Sequence, residues 1–253
     1  TPLRVLHLSD LHMLPRQRRK QAWLRDLASL QPDFVVNTGD NLSHQKAVPA
    51  VVQALGDLLS VPGVFVFGSN DYFAPRPKNP ANYLFNKKRR ITGEPLPWQD
   101  LRAAFTERGW LDMTHTKREI EVKGQLISVA GVDDPHLTRD RYDTIAGPAN
   151  RAANLTLGLT HAPYIRVLDR FAADGYQLVM AGHTHGGQLA VPLFGRRLSL
   201  ARIITRFTAG LYERNGSFLY VNRGAGTTGP PVRLGAPAEI ALITLRCAEA
   251  AAA

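Results

Sequence analysis

Five short apolar runs in this chain each end in side chains able to hold a metal ion. Val5 to Leu8 runs into Asp10-Leu11-His12, and Phe34 to Val36 runs into Gly39-Asp40-Asn41. Val64 to Phe67 runs into Gly68-Ser69-Asn70-Asp71, Leu155 to Leu159 into His161, and Leu178 to Met180 into Gly182-His183-Thr184-His185. Helical patterns over 17–30 and 45–59 separate the first three runs, with strands at 4–8, 33–37 and 64–67. That βαβαβ order predicts a mostly parallel sheet covered on both faces. In open α/β sheets the carboxyl ends of the strands form the rim where ligands bind. Further helices are predicted at 98–108 and 164–173. Strand-like stretches lie at 119–122 and 126–130, and later strands near Leu189 and at 218–221 and 239–245 predict an antiparallel second sheet. Together they give an α/β fold, a four-layer αββα sandwich of two mixed β-sheets flanked by helices.

The chain has 253 residues, 44% of them hydrophobic, which suits one large domain over 1–253. There is no apolar run of about 18 residues that would span a membrane. A single cysteine, Cys247, allows no internal disulfide and reads as structural. The Ala-rich end, 248–253, is expected to fray. The chain begins at Thr1, which leaves room for a leader or anchor upstream.

Taken singly, each polar cluster is a weak signal. Asp before His often marks a cap, Gly-Asp is often a turn, and a lone histidine is usually packed or solvated. Their joint occurrence, in order and each behind an apolar strand, is what discriminates. Asp10, His12, Asp40, Asn70, His161, His183 and His185 make an oxygen and nitrogen donor set without thiolate. The set is too large for one tetrahedral ion and suits two ions sharing a carboxylate. Mn, Fe, Zn or Co fits it, while Ca and Mg are poorly served by four imidazoles. Two such ions roughly 3.5–4 Å apart clamp the attacking and leaving oxygens of a displacement at phosphorus.

This pattern resembles the calcineurin-like metallophosphoesterase family, in its bacterial, membrane-associated, phosphodiesterase-like branch. The spaced motifs D-x-H, G-D, G-N-H-D/E, H and G-H-x-H carry the resemblance, which runs from Asp10 to the strand ending near Leu245. It implies the αββα sandwich and a dinuclear centre. Asp10, His12 and His185 would take one metal, Asn70, His161 and His183 the other, and Asp40 would bridge. Hydrolysis by in-line attack of a metal-bridging hydroxide follows, on phosphodiester or pyrophosphate bonds of lipid-linked or otherwise anionic substrates. Cyclic-nucleotide or nucleic-acid phosphodiesterase action is an alternative, as is a non-catalytic metal-binding scaffold. One departure stands out: the family's G-N-H-D/E reads Gly68-Ser69-Asn70-Asp71 here. Read with Asn70 as the ligand, Asp71 falls where the family has histidine. An ionised Asp is a poor acid, so good leaving groups are expected to be favoured. His44, four residues after Asp40, is the candidate substitute proton donor. Asn41 and Thr184 are expected to orient ligands, and His7, His115 and His136 read as core or surface groups.

Lys and Arg number 31 against 21 acids, a net charge of +10. Such a balance favours anionic partners. Residues 73–98 hold five prolines, several aromatics and Arg76, Lys78, Lys87, Lys88, Arg89 and Arg90, and read as an excursion from the core. Residues 196–206 add Arg196, Arg197, Arg202 and Arg206 without an acid. Arg76, Lys87 to Arg90, Arg196 and Arg197 are candidates for a surface that meets anionic lipid or substrate. Membrane association through that surface or an upstream segment is expected, with a cytoplasmic protein as the alternative. No specific nucleic-acid motif is present, and the sequence names no protein partner.

Overall fold

Period-two alternation sorts the apolar side chains into three layers, and these layers define the architecture. A computed structural model describes residues 2–75, 93–193, 196–199, 206–229 and 231–246, with the backbone alone at 190–199. Strand β1 (Leu3–Leu8) sends Leu3 and Val5 to one face and Leu6 and Leu8 to the other. In β2 (Phe34–Asn37), Phe34 and Val36 separate from Val35 in the same way, as do Val64 and Phe65 in β3 (Gly63–Phe65).

The first sheet has the order β13-β1-β2-β3-β4, with β4 at Leu111–Asp112 and β13 at Ala241–Leu245. Strands β1 to β4 are parallel, and β13 pairs antiparallel to β1 from Leu3↔Leu245 to His7↔Ala241. Helices α1 (Arg18–Asp26) and α2 (Val48–Leu55) cover its outer face through Leu24, Val51, Ala54 and Leu55. The one-turn helix α3 (Ser69–Tyr72) follows β3, and α4 (Trp98–Thr106) adds Leu101 and Phe105 to the same face.

The second sheet contains β5 (Thr116–Val122), β6 (Gln125–Gly131), β7 (Leu155–Leu159), β8 (Leu178–Ala181), β11 (Gly210–Arg214) and β12 (Ser217–Val221), in the order β11-β12-β8-β7-β6-β5. Ile127, Val129, Leu157, Leu159, Leu178 and Met180 face Leu3, Val5, Phe34, Val36, Val64 and Val66 of the first sheet. Truncating Phe34 to alanine in this dry layer is expected to cost about 3–5 kcal/mol. Helix α5 (Ile165–Ala173) covers the outer face with Val167, Leu168 and Phe171 against Ala130, Val179, Ala181 and Leu219.

The sandwich is as expected, but the second sheet is not antiparallel throughout. Its centre, β6-β7-β8-β12, is parallel, with antiparallel strands only at its two edges. The run near Leu189 leads into a separate hairpin of β9 (Ala190–Leu193) and β10 (Arg196–Ser199), outside both sheets. The last strand crosses to the first sheet. Which edge a strand joins is a tertiary choice that its own alternation does not encode. Both parallel centres deliver their carboxyl ends to one rim, and the polar clusters sit there. Arg196 and Arg197 lie in β10, while Arg76, Lys87, Lys88, Arg89, Arg90, Cys247 and the tail 248–253 fall outside the described residues.

Candidate metal centre

Two groups of three residues converge at the rim. Asp10, His12 and His185 form one and Asp40, His161 and His183 the other, with ligand atoms within 4.8 Å of one another in each. In the first, His12 Nε2 lies 3.2 Å from His185 Nε2, and Asp10 Oδ1 lies 3.4 Å from His185 Nε2 and 3.9 Å from His12 Nε2. In the second, His161 Nε2 lies 3.1 Å from His183 Nδ1 and 3.4 Å from Asp40 Oδ1. The other Asp40 oxygen, Oδ2, lies 3.5 Å from His12 Nε2. One carboxylate thus faces both groups.

The backbone is bent to achieve this. Asp10, His12, Asp40, His183 and His185 all have positive φ, between 42° and 71°. That region costs an L-residue roughly 1–2 kcal/mol, and such strain concentrates at functional sites. Gly68 and Gly182 are required by space. A Cβ on Gly68 would collide with Asp40 and His161, and one on Gly182 with Ser9 and Asp10.

Hydrogen bonds aim the ligand atoms. Thr38 Oγ1 donates to Ser9 Oγ at 2.8 Å, and Ser9 Oγ donates to Asp10 Oδ2 at 2.5 Å. The Thr38 proton is thereby spent, so His7 Nε2, 3.0 Å away, donates to Thr38. The His183 backbone N–H also donates to Asp10 Oδ2, at 2.9 Å. Asp10 Oδ1, by contrast, is buried with no hydrogen-bond partner among the described residues. A buried, unpaired carboxylate oxygen facing two imidazoles is costly alone and suited to a cation. His161 Nδ1 donates to Thr38 O at 2.8 Å, which turns Nε2 to Asp40 and His183 as the ring atom a cation would take.

The charges agree. Burial would raise the Asp40 carboxyl, but His161 above all outweighs it and holds it far below the usual carboxylate range, while Asp40 in turn holds His161 well above its ordinary value against burial. Burial pushes His12 and His185 down to about 4, which keeps both rings neutral and available as ligands. The donor chemistry therefore fits two borderline cations.

The calcineurin-like phosphoesterase profile matches residues 3–187, a span that includes all six converging side chains. The chain belongs to the calcineurin-like phosphoesterase family. An uncharacterised metallophosphoesterase of Aquifex aeolicus is 27% identical over 256 residues, covering 97% of this chain and 86% of the relative. A transmembrane protein with metallophosphoesterase domain from Bos taurus is 29% identical over 257 residues, covering 97% of this chain and 53% of the relative. Purple acid phosphatase PPD1 from yellow lupin seeds shares the fold, with a TM-score of 0.50 at 11% identity over 96% of this chain and 48% of that one. As a calcineurin-like phosphoesterase the chain is a hydrolytic enzyme with two candidate metal sites.

Within this phosphoesterase Asp71 has a different occupation from the expected one. It is fully buried, and Oδ2 accepts the backbone N–H of Asp40 and of Gly68, both at 2.9 Å, while Oδ1 accepts that of Asn41 at 2.8 Å. Burial and the Asp40 charge push its carboxyl up to about 7, against the pull of the amides. Asp71 ties two loops together, and both of its oxygens accept backbone amides. Matched residue for residue, G-N-H-D/E puts Asp71 on the acidic position, with Ser69 and Asn70 on the amide and histidine positions. Asn70 donates its backbone N–H to Asp40 Oδ1 at 2.7 Å and its Nδ2 to Phe73 O at 2.9 Å. His44 is exposed, and its Nδ1 accepts the Lys46 N–H of its own turn at 3.0 Å. The structure does not bring it into the converging groups.

Two residues at the site were not singled out by the sequence. The His136 ring lies 4.5 Å from that of His183, centroid to centroid, and its Nδ1 is 3.1 Å from Tyr164 Oη. Asp133-Asp134-Pro135-His136 follows β6 as the other clusters follow their strands, and that placement was the available signal. Arg233 lies against His185, with its Nη2 3.2 Å from His185 Nδ1, far along the chain from any motif. Asn41 bonds Asn37 side chain to side chain, and Thr184 Oγ1 donates to Thr208 O, so both brace loops at the rim.

Proposed function

We propose that this phosphoesterase hydrolyses phosphodiester or pyrophosphate bonds with a pair of cations, and that its substrates are lipid-linked or otherwise anionic. The observation that carries the reading is the Asp40 carboxylate, one oxygen 3.5 Å from His12 and the other 3.4 Å from His161. Asp10, His12 and His185 would hold one cation. Asp40, His161 and His183 would hold the other, completed by Asn70 or Ser69. Four imidazoles and no thiolate favour Mn, Fe, Zn or Co. Bound there, two cations supply Lewis acidity at phosphoryl oxygens and a nucleophile at neutral pH.

The protein's own residues hold the geometry. Ser9 and Thr38 fix the orientation of Asp10, the Thr38 carbonyl fixes that of His161, and Asp71 pins the loop of Asp40. The Gly68 to Asp71 loop supplies no ready acid, because three amides occupy Asp71 and an asparagine amide does not protonate a leaving oxygen. Bonds whose leaving group needs no proton are therefore the favoured targets. Support for an anionic lipid setting comes from the +10 charge, from Lys87 to Arg90, and from the similarity to the bovine transmembrane protein with metallophosphoesterase domain. Each basic residue at such a surface contributes about 1 kcal/mol. Among the described residues no helix is long and apolar enough to cross a membrane.

A substrate panel with Mn-loaded protein tests the chemistry: aryl monoesters and diesters, nucleoside diphosphate-lipids, glycerophospholipids and cyclic nucleotides. Diesters and diphosphate-lipids should lead, and Asp40→Ala should lose both cations and all turnover. Full turnover by Asp40→Ala, or silence across the panel with two cations bound, rejects the reading. Flotation with anionic vesicles should weaken in high salt and after neutralising Lys87 to Arg90. Binding indifferent to both changes removes the membrane part.

A further inference from the structure

Arg233 lies outside the span that the family profile matches, yet its side chain reaches the first metal group. Its neighbours Val232 and Leu234 are more than half exposed, so extended alternation turns Arg233 inward between them. The guanidinium then meets five carbonyls. Nε donates to Gly226 O at 2.9 Å, and Nη1 donates to His185 O and Ala236 O, both at 3.2 Å. Nη2 donates to Arg223 O at 2.9 Å, to Gly224 O at 2.8 Å and to Gly226 O.

Three of these carbonyls belong to the loop after β12, and that loop in turn holds Asp10. The Ala225 N–H donates to Ser9 O at 3.2 Å and the Gly226 N–H to Asp10 O at 2.6 Å. One side chain therefore braces two members of the first group, His185 directly and Asp10 through the loop. Its hydrogen bonds to the second group are none among the described residues. A guanidinium has five N–H donors in a planar fork, and here they point to backbone carbonyls. They are not presented to a phosphate, so this is not an arginine that clamps substrate.

We propose that Arg233 is a positioning residue for the cation held by Asp10, His12 and His185, and not for its neighbour. The proposal rests on the reading that this group binds a cation. Lysine replaces it only in part, because an ammonium with three donors cannot engage all five carbonyls.

Mn2+ and Zn2+ titrations of the full chain against a chromophoric chelator test the assignment. Wild type should bind two ions. Arg233→Ala should weaken one step about 10- to 100-fold, the loss typical of residues that orient metal ligands, and leave the other within about two-fold. In a His185→Ala background, Arg233→Ala should cost less than it does in wild type, since the part of its effect that runs through His185 is already lost and only the bracing of Asp10 remains. Millimolar methylguanidinium should restore the weakened step. Arg233→Lys covers the case in which the alanine variant does not fold, and should show an intermediate loss of the same step. Two unchanged steps, equal loss of both, additive loss in the His185→Ala background, or unfolding of both variants overturns the proposal. If wild type binds no ion, the phosphoesterase reading fails and takes this role with it. If wild type binds two ions and Arg233→Ala binds them equally well, only the role of Arg233 is lost.

Discussion

Asp71 Oδ2 accepts the backbone N–H of Asp40 at 2.9 Å, so the carboxylate that faces both metal groups is held from the neighbouring loop. Two more amides, of Gly68 and Asn41, end on the same side chain. Asp71→Ala leaves three buried donors unpaired, at about 1–3 kcal/mol each before relaxation. We expect a loss on the order of 3–5 kcal/mol, or roughly 10 °C in melting temperature for a domain of this size. Asp71→His, which would place a proton donor beside the site if this position were catalytic, is expected to destabilise by a similar amount. Thermal melts of both variants check this. A fully stable Asp71→His with improved turnover of alkyl esters would restore the catalytic reading.

The second metal group has three converging side chains and two candidates for a further neutral ligand, Ser69 and Asn70. An amide oxygen is the stronger neutral donor to a cation, and the Asn70 backbone already rests on Asp40 Oδ1 at 2.7 Å. Asn70→Ala is therefore expected to weaken one cation about ten-fold, with Ser69→Ala close to wild type. Metal titrations of the two variants decide between them. The reverse order would assign the position to the serine hydroxyl.

Much of this centre is legible in the sequence because a parallel strand fixes where its last residue goes. Asp10, Asp40, His161 and His183 follow apolar runs in β1, β2, β7 and β8, and strand polarity alone brings them to one rim. What the sequence does not disclose is which polar atoms are already engaged there. Asp71 reads as an acid beside two cations, and only the backbone paths of the Gly39 and Gly68 turns reveal that amides occupy it. His44 is close to Asp40 in sequence, but its turn carries it to the surface. His136 follows β6 in the same way as the other clusters, yet a lone histidine after Asp-Asp-Pro resembles any loop. The edge strands were the hardest elements. β4 has two residues, and β13 joins the first sheet through pairing with β1 that no local pattern specifies.

Four imidazoles, those of His7, His12, His183 and His185, each contribute a pH dependence of the same sign. Burial lowers His7 to about 3 and His12 and His185 to about 4, and holds His183 well below its ordinary value. Below about 6.5 the unfolded chain takes up protons that these four rings refuse, so their contribution to stability falls as pH drops from 6.5 toward 4, while the carboxyls of Asp71 and Asp134, both raised to about 7, contribute with the opposite sign over that range. Above 6.5 these rings contribute no slope. Each steepens the fall by about 1.4 kcal/mol per pH unit. Urea unfolding of chelator-treated protein at pH 7, 6 and 5 measures it. His7→Gln should remove one such increment from the slope whatever it does to absolute stability. A slope unchanged by His7→Gln would mean that His7 is protonated in the fold.

The loop Gly68 to Asp71 presents an amide where an acid is needed to protonate a departing oxygen, and this sets an expectation for rate against leaving-group pKa. Without protonation the oxygen leaves as an anion, so rates should fall steeply as its basicity rises. Aryl diesters and phosphoanhydrides should then exceed alkyl monoesters by orders of magnitude, since general acid catalysis contributes typically 10²–10⁴-fold. A series of substituted phenyl diesters and one alkyl ester, assayed at fixed metal loading, measures the slope. A flat dependence would mean that another group supplies the proton. His136, 4.5 Å from the His183 ring and bonded to Tyr164, is the first to substitute. His136→Asn would then steepen the slope while leaving the rate with the best leaving group near that of wild type.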